Sequence, residues 1–240
     1  LANILRQHYD KVYTNESGSN MVQGIITTLL DNPKREETIA VLEVDEANLV
    51  RIGRNIKPDY VIFTNIFRDQ MDRFGEIYNI FNKLMQGMEV MPNAKIIANG
   101  DLPIFSYDQM DKYNKSYFAI RDKREEKDDY ILEADANSDG ILCPHCNHIL
   151  KYKLNNYSSL GDFACTSCDF SSPEITYKLD KIKKLEANYS SFYVGDEFYE
   201  VNVGGLYNVY NALAALSVAK ELGLSYEEIY EGLASQKNVF

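Results

Sequence analysis

The four cysteines of this chain stand in two Cys-x-x-Cys brackets, Cys143-Pro144-His145-Cys146 and Cys165-Thr166-Ser167-Cys168, separated by eighteen residues. Each bracket turns two thiolates toward one point, and two brackets complete the four soft ligands of a tetrahedral zinc ion. A closed site of four thiolates leaves no coordination position for a substrate, so the zinc expected here holds structure and performs no chemistry. His145 and His148 are alternative nitrogen ligands, but the sulfur set is complete without them. A redox bracket would need only one pair, opening a helix after a strand. Structural disulfides need an oxidising compartment, and no signal peptide or long apolar segment points to one.

Two acidic clusters and a pair of asparagines are the other groups placed for chemistry. Val41-Leu42-Glu43-Val44-Asp45-Glu46 sets three carboxylates at the end of an apolar run, and Thr64-Asn65-Ile66-Phe67-Arg68-Asp69-Gln70-Met71-Asp72 ends the next. Magnesium takes hard oxygen ligands, often one or two carboxylates together with phosphate oxygens, which such strand ends can supply. Taken alone, each cluster reads first as a solvated loop. Their occurrence at successive strand ends brings a site closer to level with that reading, because ligands of open α/β sheets bind beyond the carboxyl ends of the strands. In Gly204-Gly205-Leu206-Tyr207-Asn208-Val209-Tyr210-Asn211-Ala212, two asparagines three apart share a helix face at its first turn. Paired amides there can meet a purine edge or a phosphate oxygen. The plainer alternative is that Asn208 caps the helix while the alanines allow close packing.

The elements that must position these groups alternate in the manner of an α/β fold with a mostly parallel sheet flanked by helices. Residues 38–44, 59–64, 94–98 and 116–120 read as strands, the first two without polar alternation, as expected for strands covered on both faces. Ile77, Ile80, Phe81, Leu84 and Met85 recur at helical spacing over residues 75–88. The run 121–129 mixes both charge signs and reads as a solvated connector. A β-rich excursion then runs to about residue 177, with an inserted ribbon over 136–175. A hairpin follows around Gly195-Asp196, and two helices finish the chain, 206–222 and one capped by Ser225 with Glu228 three residues later. The chain opens in a helical pattern at Leu1 and stops soon after another, so it is expected to be an internal piece of a longer protein. With 45% apolar residues it can bury a large core, and a net charge of −11 argues against a nucleic-acid ribbon.

The ordered set of Glu43, Thr64-Asn65-Ile66 with Asp69 and Asp72, Asn99 with Asp101, and Gly205, Asn208, Asn211, Ala214 and Ala215 resembles the central ATP-binding domain of the Mur ligase family. The resemblance extends over residues 1–240 apart from the ribbon. It implies that Glu43 is a magnesium ligand, that Asp69 belongs to the cofactor site, and that Asn208 lies against the adenine of ATP with Asn211 nearby. It also implies a phosphate loop before Leu1 and a catalytic third domain after Phe240. Gln70 departs from the family's usual histidine, and Lys83 is offset from the place of its modified lysine, which leaves the second metal open. A zinc ribbon inserted in such a domain resembles the MurT-type branch. That branch implies ATP-dependent amidation of the D-glutamate α-carboxylate of the lipid II stem, through an acyl phosphate and with ammonia from a GatD-type glutaminase subunit. The heterodimer would work in the cytoplasm at the inner face of the membrane. The alternatives are an amino-acid-adding Mur or folylpolyglutamate-type ligase, which shares the ATP site, and a non-catalytic scaffold that uses the ribbon to bind a protein.

Overall fold

The computed structural model describes residues 1–15, 20–31, 38–66, 76–124, 126–134 and 141–236. The chain enters through α1 (Ala2–Leu5), β1 (Lys11–Thr14) and α2 (Val22–Asp31), and β2 (Thr38–Val41) pairs in parallel with β1. A short α3 (Leu49–Gly53) leads to β3 (Tyr60–Phe63), α4 (Glu76–Glu89), β4 (Lys95–Asn99) and β5 (Lys115–Ile120). The chain then leaves the sheet to form the ribbon hairpin β6 (Lys151–Tyr157) and β7 (Leu160–Ala164), and returns as β8 (Tyr177–Leu179). The strands β3, β4, β5 and β8 lie side by side in that order, all parallel, so the cysteine segment interrupts two neighbouring strands of one sheet. An antiparallel sheet of β9 (Lys181–Leu185), β10 (Ser190–Val194) and β11 (Glu197–Val201) precedes α5 (Leu206–Glu221) and α6 (Tyr226–Ala234).

Burial explains why these segments form these elements. The inner strands β4 and β5 are buried along almost their whole length, which is the reason their sequences are continuous apolar runs. α4 buries Ile77, Phe81, Met85 and Met88, a single stripe at steps of four, four and three residues. α5 is buried nearly all round, and Ala212, Ala214, Ala215 and Ala219 let it pack against β4 and β5. Removing a large side chain such as Phe118 from water contributes roughly 1.5–3 kcal/mol. The Ser225 capping box is formed, its hydroxyl accepting from the Glu228 amide. The segment 38–44 is strand only as far as Val41, and β2 is half-buried with Ala40 exposed, because its described partner is β1 alone. The short strands β1, β8 and β9 carry too little pattern to stand out in sequence.

The charged run after β5 is not wholly a solvated connector. Arg121 and Asp122 are buried, and the exposed stretch begins at Lys123. Asp122 accepts from the Ile182 amide at 2.9 Å and from the Arg124 guanidinium, joining the end of β5 to β9. The Arg124 hydrogen bonds, with help from the Ile182 amide, outweigh burial and lower its carboxyl pKa to about 2. A depressed carboxyl pKa stabilises the fold at neutral pH, and this contribution is lost as pH falls through about 2. Asp122→Asn is therefore expected to lower the urea midpoint at neutral pH, with the gap to the unsubstituted protein narrowing below about pH 4.

Candidate functional site

The four cysteine sulfurs converge. Cys143 and Cys168 are 3.4 Å apart, as are Cys146 and Cys165, Cys146 to Cys168 is 3.6 Å, and all four lie within 4.8 Å of one another. A tetrahedral ion with bonds of ~2.3 Å spaces its sulfurs ~3.8 Å apart, so donor set and spacing fit zinc. None of the sulfurs is in a disulfide. Burial opposes ionisation of Cys165, but the Ser167 amide and the sulfurs of Cys146 and Cys168 bring its pKa down to about 6. The knuckles rest on a small core of their own, Leu150, Tyr152, Phe163 and Phe170. His145 stands outside the quartet, 3.1 Å from Asp108 and stacked edge-on at Phe170. It ties the ribbon to the body, as does Tyr107, which packs against both Phe170 and Phe81.

At the carboxyl ends of β3, β4 and β5 the sequence motifs assemble into one buried polar chain. Asn99 donates to Asn65 at 2.7 Å and its own oxygen accepts from the Asp101 amide at 3.0 Å. The Asp101 carboxylate is fully buried. It is paired with Arg121 and accepts from the Tyr210 hydroxyl at 2.7 Å and the Ile120 amide at 2.9 Å. Asn156 of β6 joins by donating to the Tyr210 hydroxyl at 3.0 Å and to the Ile120 carbonyl at 3.2 Å. Burial and the Asp101 carboxylate hold the Tyr210 hydroxyl well above its ordinary pKa, so it serves as a neutral donor. Asn65, Asn99 and Asp101 are legible as a motif. Arg121, Asn156 and Tyr210 are not, although the presence of Tyr210 between the two asparagines of α5 is a signal of sorts.

Beside this chain of bonds lies a cavity of about 700 Å³, within the size range of small-ligand sites. Its described walls are Asn65, Tyr157, Leu160, Leu206, Tyr207 and Tyr210. Asn65 is the polar member, and its side-chain nitrogen is buried with no hydrogen-bond partner among the described residues. Asn208 sits on α5 next to Tyr207 and donates to the Gly204 carbonyl at 2.7 Å. It is therefore not a cap in the usual sense, since the N-cap is Gly205, whose φ of 88° few other residues would tolerate. Asn211 is half-buried one turn further on. Glu43 follows β2 with its side chain exposed, and both its amide and its carbonyl are held by the Asn15 side chain, at 2.8 and 2.7 Å. Glu43, Asn208 and Asn211 lie outside the cavity's described walls, and Asp69, Gln70 and Asp72 lie outside the described residues.

A parallel sheet with polar groups gathered at its strand ends is an architecture shared by many ligand-binding domains. The Mur ligase middle domain family matches residues 1–158. The chain belongs to this family. This Mur ligase domain is 43% identical over 239 residues to the MurT subunit of the glutamine-hydrolysing lipid II isoglutaminyl synthase of Streptococcus pneumoniae, covering 99% of this chain and 52% of that protein. It is 29% identical over 232 residues to the MurT subunit of Staphylococcus aureus, covering 97% of this chain and 51% of the other. The chain thus spans about half the length of the curated relatives it matches. Its fold is similar to that of a pseudomurein peptide ligase type C from Methanothermus fervidus, with a TM-score of 0.71 at 24% identity over 99% of this chain and 47% of the other. No described helix is long and apolar enough to cross a membrane.

Proposed function

We propose that this Mur ligase domain is the ATP-binding part of the synthase subunit of a lipid II isoglutaminyl synthase. The observation that carries the reading is the 43% identity to a MurT subunit along 99% of the chain, ribbon included. The reaction converts the α-carboxylate of D-glutamate in the lipid II stem to a carboxamide. A carboxylate oxygen takes the terminal phosphoryl group of ATP, and ammonia then attacks the acyl carbon and displaces inorganic phosphate. ATP supplies the phosphoryl group, and a magnesium ion bound with it would supply stabilisation of the charge on that group. Glu43, its backbone fixed by Asn15, would hold the ion, with Asp69 contributing to the same site. Asn208 and Asn211 would hold the adenine end from the first turns of α5. The four cysteines would hold zinc and are therefore unavailable as a glutaminase nucleophile. Ammonia would come from a GatD-type glutaminase subunit, and the pair would act at the inner face of the membrane, where lipid II presents its stem.

The test uses the full-length parent protein with its glutaminase, ATP, amide-labelled glutamine and lipid II, with the stem peptide read by mass spectrometry. Label in a carboxamide at D-glutamate supports the reading. ATP-dependent gain of an amino acid would replace it with an ordinary Mur ligase activity. In the same assay Glu43→Ala is expected to lower turnover by at least about 100-fold while the circular dichroism spectrum is unchanged, as loss of a phosphate-bound metal predicts. Normal turnover would remove Glu43 from the ion.

A further inference from the structure

The ribbon reaches the strand-end cavity. Tyr157 and Leu160, at the two sides of the β6–β7 turn, form part of its wall together with Leu206, Tyr207 and Tyr210 of α5. Tyr157 and Tyr207 are 63% and 57% exposed and both line the cavity. The tip of the hairpin is held in place. Asn156, next to Tyr157, is bonded to Tyr210 and to the Ile120 carbonyl, and the Gly161 amide donates to the Asp101 carbonyl at 3.0 Å. A Cβ at Gly161 would fall 1.9 Å from the Leu154 carbonyl oxygen, so the close approach of β6 and β7 requires glycine there. The far end of the same hairpin is anchored by the cysteine cluster and its aromatic core.

We propose that the zinc ribbon is a working part of the nucleotide site, with Tyr157 a base-binding residue that receives the planar base against the ribbon wall while Tyr207 lines the other. The proposal rests on the ATP-dependent ligase reading above and assigns the ribbon a role beyond holding its own fold. Aromatic walls offer π faces that stack on any base, and a slot whose described walls are apolar and aromatic apart from the Asn65 amide suits a flat heteroaromatic ring better than a phosphate or a sugar. The buried Asn65 nitrogen needs an acceptor, which a ring nitrogen provides. Tyr207 is the immediate neighbour of Asn208, so base and asparagine helix meet at one place.

The experiment is ATP binding by calorimetry and steady-state amidation kinetics on the full-length complex, comparing Tyr157→Ala and Tyr157→Phe with the unsubstituted protein. Tyr157→Ala is expected to raise Kd and KM for ATP by about tenfold, as loss of one base-stacking ring does, with kcat little changed and zinc retained in full. Tyr157→Phe keeps the ring and should bind ATP normally. Unchanged ATP affinity in Tyr157→Ala would overturn the proposal and leave the ligase reading intact. A change confined to KM for lipid II would also overturn it, in favour of a wall that faces the glycan or the stem. An unsubstituted complex that binds no ATP would overturn the ligase reading itself, and this inference with it.

Discussion

Asp101→Asn is expected to destabilise the domain by about 3–5 kcal/mol, because it removes the charge that neutralises a buried guanidinium. Asp101 is fully buried and Arg121 is 9% exposed, so water cannot take over the lost pairing. The amide that replaces the carboxylate can still accept from Tyr210 and Ile120. The loss is therefore one of charge compensation more than of hydrogen bonds. Among the described residues the other carboxylate near Arg121 is Asp162, 3.8 Å from its Nη2, while its Nη1 also donates to the neutral Ile120 carbonyl at 3.1 Å. Adding Arg121→Met should recover part of the loss, since an apolar side chain has no charge to strand, and a double-mutant cycle should show coupling above about 1 kcal/mol. Urea unfolding followed by circular dichroism measures both. Additive effects of the two substitutions would mean that the pair is not coupled as the geometry indicates. The consequence is not local to the sheet, for the same carboxylate holds Tyr210 of α5, and through Tyr210 it holds Asn156 of the ribbon.

Cys143→Ser is expected to reduce zinc to well below one ion per chain and to open the ribbon while the parallel sheet survives. Cys143 is fully buried, and a hydroxyl is a poor replacement for a thiolate on zinc. Among the described residues the ribbon's buried apolar core is Leu150, Tyr152, Phe163, Phe170 and two of the cysteines, with Tyr107, Leu132 and Ala134 packed at its edge, too few to keep a hairpin folded without a metal or another cross-link. The main core, centred on β4, β5 and α5, is a much larger cluster that takes only Leu160 from the hairpin, so most of its packing remains when the ribbon opens. Zinc quantified by metal analysis should fall, and limited proteolysis should cut within residues 141–172 before anywhere in the sheet. Full zinc together with unchanged protease resistance would show that the four sulfurs are not the ligand set. Since Tyr157 and Leu160 belong to the hairpin, the same substitution should weaken ATP binding if the ribbon wall serves the nucleotide site.

Local pattern determined much of this protein. The cysteine spacing foretells the four-sulfur cluster because a Cys-x-x-Cys knuckle brings two sulfurs together within a single turn, whatever surrounds it. The inner strands, α4, α5 and the Ser225 capping box were legible because burial on both faces, helical periodicity and capping are written in neighbouring residues. The ordered family motifs, which lie at strand ends and at the start of α5, carried the family. Tertiary structure alone decided the rest. The run beginning at Arg121 looks like a solvated connector, and its first two residues are core because Asp101, 20 residues earlier, and Ile182, 60 residues later, happen to close over them. Tyr210 reaches Asp101 across 109 residues, and Asn156 reaches Tyr210 across 54. Such contacts are set by the order of the strands β3, β4, β5 and β8 and by where the ribbon leaves and re-enters the sheet, and strand order is a property of the whole chain that no short window of residues encodes.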